Sequence, residues 1–237
     1  MAGKTYQAKV TYPDGATNIV NLPAATDDGY VLSINHTVKN DSVLVRVYGG
    51  AAALRSGTRS LSLVGQSGGK VYFSANVPLN KASASLYLST ANVPTGILQF
   101  TLFSPAGNPL NERIVFIENK DNIDLKITSA KKVYDRREKV DLNIEAKDSN
   151  GKPVGGNFSV SVMSEAAVPS DEVKENSIFS QLLLSADIKG YIEKPNYYFY
   201  NPTNETRANL DILMLTQGLP QVCLEGCYCQ PNCRKRL

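Results

Sequence analysis

The feature that most restricts this chain is the spacing of its apolar runs through the first 117 residues. The runs are short, several alternate apolar with polar side chains, and a turn signal separates each from the next. In Val43-Leu-Val-Arg-Val-Tyr48, Val43, Val45 and Val47 fall on one side of an extended backbone, because successive side chains of a strand point to opposite faces. Ser83-Ala-Ser-Leu-Tyr-Leu88 sets Ala84, Leu86 and Leu88 on one side in the same way. Between the runs stand Pro13-Asp14-Gly15, Gly49-Gly50, Ser67-Gly68-Gly69 and Ser104-Pro-Ala-Gly-Asn108. Proline presets φ there, and Gly or Asn accepts the positive φ that tight turns need. The spacing predicts strands at Thr5–Tyr12, Asn18–Leu22, Tyr30–Asn35, Ser42–Tyr48, Ser60–Val64, Lys70–Ala75, Ser83–Leu88, Leu98–Phe103 and Ile114–Ile117. An α/β fold would need helical segments of about ten or more residues between strands, and the pattern contains none. The expectation is an antiparallel β-sandwich over residues 1–119.

Glu118-Asn-Lys-Asp-Asn122 reads as a polar, exposed joint, after which a second strand series begins. Ile123–Ile127, Lys139–Ile144 and Phe158–Val162 each alternate with period two, and Asp148-Ser-Asn-Gly-Lys-Pro153 carries Asn-Gly as a hairpin centre. Residues 122–169 are therefore expected to be strands of a second sandwich. From residue 170 the pattern changes. Ile178, Phe179, Leu182, Leu183 and Ala186 follow helical spacing, with Asn176 as N-cap and Gly190 beyond the end. A second short helix is predicted over Asn204–Leu215, capped by Asn204 or Thr206. Residues 170–218 thus read as a helical, aromatic-rich extension packed on the second sandwich.

Composition narrows the function classes. Net charge is +3, and Arg234-Lys-Arg236 supplies that excess, so no polyanion-binding surface and no nucleic-acid partner is implied. The longest apolar runs, such as Ile212-Leu-Met-Leu215, fall far short of the roughly 20 residues a membrane helix needs. The opening MAGKTYQAKV has no apolar core of a secretion signal. All four cysteines follow residue 222, so no disulfide or thiol chemistry belongs to the strands.

Catalytic constellations are hard to assemble from these residues. His36, the one histidine, has Asp27, Asp28 and Asp41 near it in sequence, yet a general base needs a nucleophile and an orienting partner, and these aspartates read as turn residues. Glu112 with Glu118, and Asp121 with Asp124, lack the regular oxygen-ligand spacing of a calcium loop, and a solvated joint is the better reading. Gly65-Gln-Ser-Gly-Gly-Lys70 runs into Val-Tyr-Phe rather than into a helix, which makes it a hairpin and not a phosphate loop. No catalytic, cofactor-binding or metal-ligating residue is assigned. The densest feature is aromatic: Tyr191, Tyr197, Tyr198 and Tyr200, with Phe199, supply rigid amphipathic surface for a docking partner or a sugar ring. The competing reading has Pro195 and Pro202 hold this segment extended, with alternate rings covering the sandwich edge beneath the two helices.

Tyr30-Val-Leu-Ser, Pro94-Thr-Gly-Ile-Leu-Gln-Phe-Thr-Leu-Phe103 and Gly107-Asn-Pro-Leu-Asn-Glu-Arg113 resemble the macroglobulin-like β-sandwich domains. Lys132-Val-Tyr-Asp-Arg-Arg-Glu-Lys-Val140 followed by Asp148-Ser-Asn-Gly-Lys-Pro-Val154 is similar to the domain that recurs in α2-macroglobulins, with Arg136-Arg137 where that family has Pro-Gly. Leu182–Glu193 and Leu210–Gly218 narrow the resemblance to large bacterial envelope proteins, in which such domains precede a carboxypeptidase-regulatory-like domain and a TonB-dependent-receptor plug. The resemblance implies a non-catalytic structural or interaction module, periplasmic or outer-membrane-associated, whose partners are other domains of the same full-length chain or envelope proteins. A macroglobulin-type protease inhibitor or bait module is an alternative, with Ala51–Gly57 as the candidate loop. A carbohydrate- or protein-binding adhesin-like sandwich is another. The thioester of the protease-trapping members is not expected, because Gly226 stands where Cys223-Leu-Glu would need its glutamine.

The final stretch, LPQVCLEGCYCQPNCRKRL, spaces its cysteines C-x3-C-x-C-x3-C, unlike the paired C-x2-C of structural zinc sites. Under one permitted choice of codons, reading it one base later places Arg-Arg-Phe where the resembled envelope proteins carry it. Residues 219–237 are therefore expected to be a disordered, out-of-frame tail rather than part of the fold.

Overall fold

The computed structural model describes residues 4–39, 41–55, 60–119, 121–164, 166–167, 169 and 171–217; the cysteine-bearing segment 219–237 lies outside them. The chain is mainly β, built of antiparallel sheets with a few short helices, and it divides into two compact units, Met1–Ser161 and Val162–Leu237.

The heart of the first unit is a pair of sheets packed face to face. One holds β3 (Tyr30–Lys39), β4 (Ser42–Gly49) and β7 (Ser83–Ser89) in the order β3-β4-β7. The other holds β5 (Ser60–Ser67), β6 (Lys70–Pro78), β8 (Gly96–Phe103) and β9 (Pro109–Ile117) in the order β6-β5-β8-β9. Period two decides which side chains meet between the sheets. Val43, Val45 and Val47 of β4 are fully buried, as are Leu61 and Leu63 of β5 and Leu98, Phe100 and Leu102 of β8. Each fully buried Val, Leu or Phe contributes roughly 1.5–3 kcal/mol, so this one cluster carries the stability of the unit. Gly65, opposite Phe73 at a β-bulge, leaves room for the Phe73 and Phe100 rings, which stack with centroids 5.8 Å apart.

A short helix, α1 (Ala51–Arg55), closes one end. The Asp27 carbonyl accepts from Ala52 N at 2.8 Å and Ala53 N at 3.2 Å, and Gly50 N donates to Gly29 O at 2.9 Å. The segment considered as a protease bait is thus helical over Ala51–Arg55 with Ala53 buried, and its remaining two residues fall outside the described ones. Chain exit is fastened as well. Asn119 Nδ2 donates to Thr90 O at 2.8 Å and Val93 O at 2.5 Å, Asn119 N donates to Thr95 Oγ1 at 2.9 Å, and Thr95 N donates to Asp121 Oδ2 at 2.8 Å. Where a free polar joint was expected at Glu118–Asn122, Asn119 and Asp121 are tied to the β7–β8 loop, because their amide and carboxylate bond its backbone groups.

Two hairpins flank this two-layer unit. β1 (Gln7–Thr11) pairs with β2 (Thr17–Asn21) through the Pro13-Asp14-Gly15 turn, with Gly15 at φ 83°. The two-layer core therefore spans residues 30–117, and the predicted strands at Thr5–Tyr12 and Asn18–Leu22 form their own two-stranded sheet instead of joining it. β10 (Asp124–Ser129) pairs with β11 (Leu142–Lys147). The expected strand start at Lys139 is displaced because Asp135–Glu138 forms a turn, closed by Glu138 N donating to Asp135 O at 3.1 Å, with Arg137 at φ 64°.

Phe158–Val162, expected to be a strand, joins no ladder. Pairing along β11 begins, with a Lys147–Pro153 bridge and Val154 N donating to Ala146 O at 3.0 Å, then stops at Gly155-Gly156. Glycines lose the most backbone entropy on ordering and bring no side chain to pack, so a ladder is cheapest to interrupt there.

Gly50 gives a direct stability test, since a Cβ built on it would lie 2.2 Å from Asp27 O. Gly50→Ala is expected to lose about 1–3 kcal/mol in denaturant unfolding, the scale of an overpacked site. Gly155→Ala, with nothing within 4 Å of its added methyl, is expected to be neutral or gain up to about 1 kcal/mol.

Candidate functional site

The tyrosines singled out in the sequence all lie in the second unit, and their placement follows from Pro195 and Asn196. Pro195 opens a 3-10 turn, Pro195–Tyr198, because its fixed φ suits the first position of a helical turn and its missing N–H is not required there. The extended backbone expected across Tyr191–Tyr200 is replaced by this turn. Its rings consequently cannot alternate faces. Asn196, 9% exposed, holds the turn in place: its Nδ2 donates to Glu172 O and its Oδ1 accepts from Ser177 Oγ, each at 2.5 Å.

Ser177 in turn caps α2 (Ile178–Ser180). Its Oγ accepts from Ser180 N at 3.1 Å, and Ser180 Oγ accepts from Ser177 N at 2.9 Å. The cap is thus Ser177, one residue after the expected Asn176. The regular helix expected from the spacing of Ile178 to Ala186 gives way after one turn to a π-helical turn, Gln181–Ser185, with Ala186 N bonded to Gln181 O at 2.9 Å. The wider turn points Leu184 fully inward, whereas Leu182 stays 61% exposed. The last helix, α3 (Asn204–Thr216), is capped by Thr203, whose Oγ1 accepts from Thr206 N at 3.2 Å, rather than by Asn204 or Thr206. It buries Leu210 and Met214. Gly190 sits at φ 106°, as a chain reversal after a helix requires.

Within this frame the tyrosines separate by environment. Tyr197 and Tyr198 are half-buried and meet edge to face, centroids 5.2 Å apart at 74°, and Tyr197 Oη accepts from Asn209 Nδ2 of α3 at 3.1 Å. Burial pushes the Tyr198 phenol above the usual tyrosine range, and the neighbouring Tyr197 adds to it. Tyr200, on the rim, donates to the Glu172 carboxylate, and that hydrogen bond raises its pKa. Tyr191 is 83% exposed and lines a cavity of about 350 Å³ together with Lys174, Asn176, Glu193 and Pro195. The four therefore form no single platform: Tyr197 and Tyr198 pack, Tyr200 is anchored, and Tyr191 alone offers a free ring face. Asn196 carried no sequence signal beyond following a proline, since a hydrogen-bond node of this kind leaves no periodicity.

The other candidate residues belong to the first unit. His36 is half-buried on β3, and Asp27 pairs with Arg55 at 3.6 Å at the α1 end. Gly65–Lys70 forms the β5–β6 hairpin, with Gly68 and Gly69 at φ 55° and 77°. Among the described residues no group of three His, Cys, Asp or Glu side chains is close enough to hold a metal ion.

The raised phenols set a pH expectation. A phenol whose pKa is higher folded than unfolded stabilises the fold fully below the ordinary tyrosine value near about 10 and loses that contribution as pH rises through the higher folded value. Spectroscopic titration of phenolate formation should show a late-ionising class that includes Tyr198 and Tyr200. Glu172→Gln should return Tyr200, identified with Tyr200→Phe, toward the ordinary range and leave Tyr198 late.

Compared with models of known protein families and with curated protein sequences, the chain matches none.

Proposed function

We propose that this chain is a non-catalytic interaction and spacing module, a macroglobulin-like β-sandwich protein of the bacterial cell envelope, with other domains of its own full-length chain or envelope proteins as partners. The observation that carries the interaction reading is the state of the two flanking hairpins. In β1–β2, Tyr6, Ala8, Val10, Tyr12, Val20 and Leu22 share one face by register with the single polar Asn18 opposite Val10, and Gln7, Lys9, Thr11, Thr17 and Asn21 share the other with Ile19. The large apolar members of the first face are 42–47% exposed. In β10–β11, Leu125, Ile127, Leu142, Ile144 and Ala146 share one face, while Asp124, Lys126, Thr128, Asn143, Glu145 and Lys147 share the other. Leu125, Ile127, Leu142 and Ile144 are 40–57% exposed. A two-stranded sheet with one apolar face is marginal in water by itself, so such a face is fitted to a second layer.

Two further features support the macroglobulin-like assignment. The seven strands of the two packed sheets match the sandwich size expected of such domains. Arg137 adopts φ 64° at the position that the resembled turn gives to glycine. The envelope location rests on the sequence resemblance. Tyr191 and the cavity beside it offer a second, smaller contact surface of the kind a sugar or peptide would use.

The interaction reading is tested by a hydrophobic-dye titration with Leu125, Ile127, Leu142 and Ile144 all replaced by serine. The expected result is strong dye fluorescence with the native chain, a clear loss in the variant and an unchanged melting midpoint. Absence of dye binding by the native chain, or a melting midpoint lowered by the substitutions, would show that this face is interior and would remove the basis of the proposal.

A further inference from the structure

The two-layer unit has four edge strands, β3, β7, β6 and β9, and three of them are blunted. β3 breaks register with β4 between Asn35 and Lys39, β6 breaks register with β5 beside Gly65, and β9 breaks register with β8 at Leu102–Phe103. β6 also carries Lys70 and Pro78, and β9 carries Pro109, Glu112 and Arg113. Bulges, prolines and charges are the devices by which sheet edges avoid pairing with other chains. β7, Ser83-Ala-Ser-Leu-Tyr-Leu-Ser89, has none of them: it pairs with β4 without a break from Ser42↔Ser89 to Tyr48↔Ser83 and contains no charge and no proline.

The apolar interior is also open along this side. Val43, Val45 and Val47 of β4 are fully buried, but Ala84, Leu86 and Leu88, opposite them in register, are only partly buried, as are Tyr72 and Phe73 of neighbouring β6. Deeper in the core Val77 of β6 is sealed, as are Val115 and Ile117 of β9, while Tyr30 and Leu32 of β3 at the opposite edge are partly buried.

We propose that β7 is an association edge that pairs antiparallel with β7 of a second copy of this chain, joining two three-stranded sheets into one. The direction of the backbone groups fixes the register. Ala82 O accepts from Gly49 N at 3.1 Å and Thr90 N donates to Asp41 O at 2.8 Å. Even-numbered residues of β7 therefore aim their backbone groups at β4, and Ser83, Ser85, Tyr87 and Ser89 aim theirs at the free edge, because bonded and non-bonded positions alternate along an antiparallel ladder. A twofold axis through Leu86 satisfies that parity. It sets Ser85 against Tyr87 and Ser83 against Ser89 as hydrogen-bonded pairs.

On the inner face the same axis sets Leu86 against its own copy and Ala84 against Leu88, small against large, which extends the apolar layer that each copy leaves open. No like charges meet within the strand. The contact is self-complementary, as a closed dimer requires, and it recruits a strand by backbone bonds in the manner of β-augmentation.

The test is sedimentation equilibrium of the full chain at tens of micromolar, combined with two variants. Ser85→Pro removes an edge N–H without touching the β4 ladder, and the dimer mass is expected to fall to that of the monomer at unchanged circular dichroism. Leu86→Cys, made with Cys223, Cys227, Cys229 and Cys233 replaced by serine, is expected to form a disulfide joining the two copies at position 86 under mild oxidation, since non-hydrogen-bonded antiparallel pairs approach to about 4.5 Å between Cα atoms. A chain that stays monomeric and fails to cross-link at position 86 overturns the proposal. So does a dimer that survives Ser85→Pro.

Discussion

The structure depends on the interdigitation of two sets of side chains: Val43, Val45 and Val47 from one sheet, and Leu61, Leu63, Leu98, Phe100 and Leu102 from the other. Removing these from water is the largest favourable term available to a chain of this composition, and it is available only if β4, β5 and β8 are central strands in the observed order. Everything around the core serves that placement. Asn119 and Thr95 bind the exit, Asp27 meets the start of α1, and Gly65 makes way for two rings. Solvent-exposed ion pairs such as Lys139–Asp141 and Lys174–Asp171 add little.

The core was the most legible part of the sequence. Alternation in Val43–Tyr48 and Ser83–Leu88 states which side chains face inward, and that information is local. Where burial is enforced by both neighbours, the pattern and the ladder agree. Phe158–Val162 carries the same alternation yet forms no strand, because a ladder requires a partner edge as well as a pattern, and Gly155-Gly156 interrupts the pairing that begins along β11. Local alternation therefore reports what a segment can do, and the topology decides whether it does so.

The second unit was less legible for a different reason. Its architecture rests on single polar side chains rather than on a repeated apolar face. Asn196 joins the Glu172 carbonyl, the Ser177 cap and the aromatic turn, and neither spacing nor composition singles it out from other asparagines. The π-helical turn at Gln181–Ser185 likewise shifts the inward-facing residue to Leu184 within a run of three leucines that all satisfy helical spacing approximately. The tyrosines stand together in the sequence, but in space they occupy three environments once Pro195 turns the chain: the Tyr197–Tyr198 pair, Tyr200 at Glu172, and exposed Tyr191.

The flanking hairpins express the division of labour within the first unit: stability is concentrated in residues 30–117, while β1–β2 and β10–β11 hold apolar faces open. Native-state hydrogen exchange on the full chain measures that division residue by residue, because amides exchange according to the free energy of the opening that exposes them. The account predicts that amides of β4, β5 and β8 exchange only through global unfolding, and that those of β1–β2 and β10–β11 exchange orders of magnitude faster. Protection of β10–β11 equal to that of β5 and β8 would contradict it, since that hairpin would then belong to the same cooperative core.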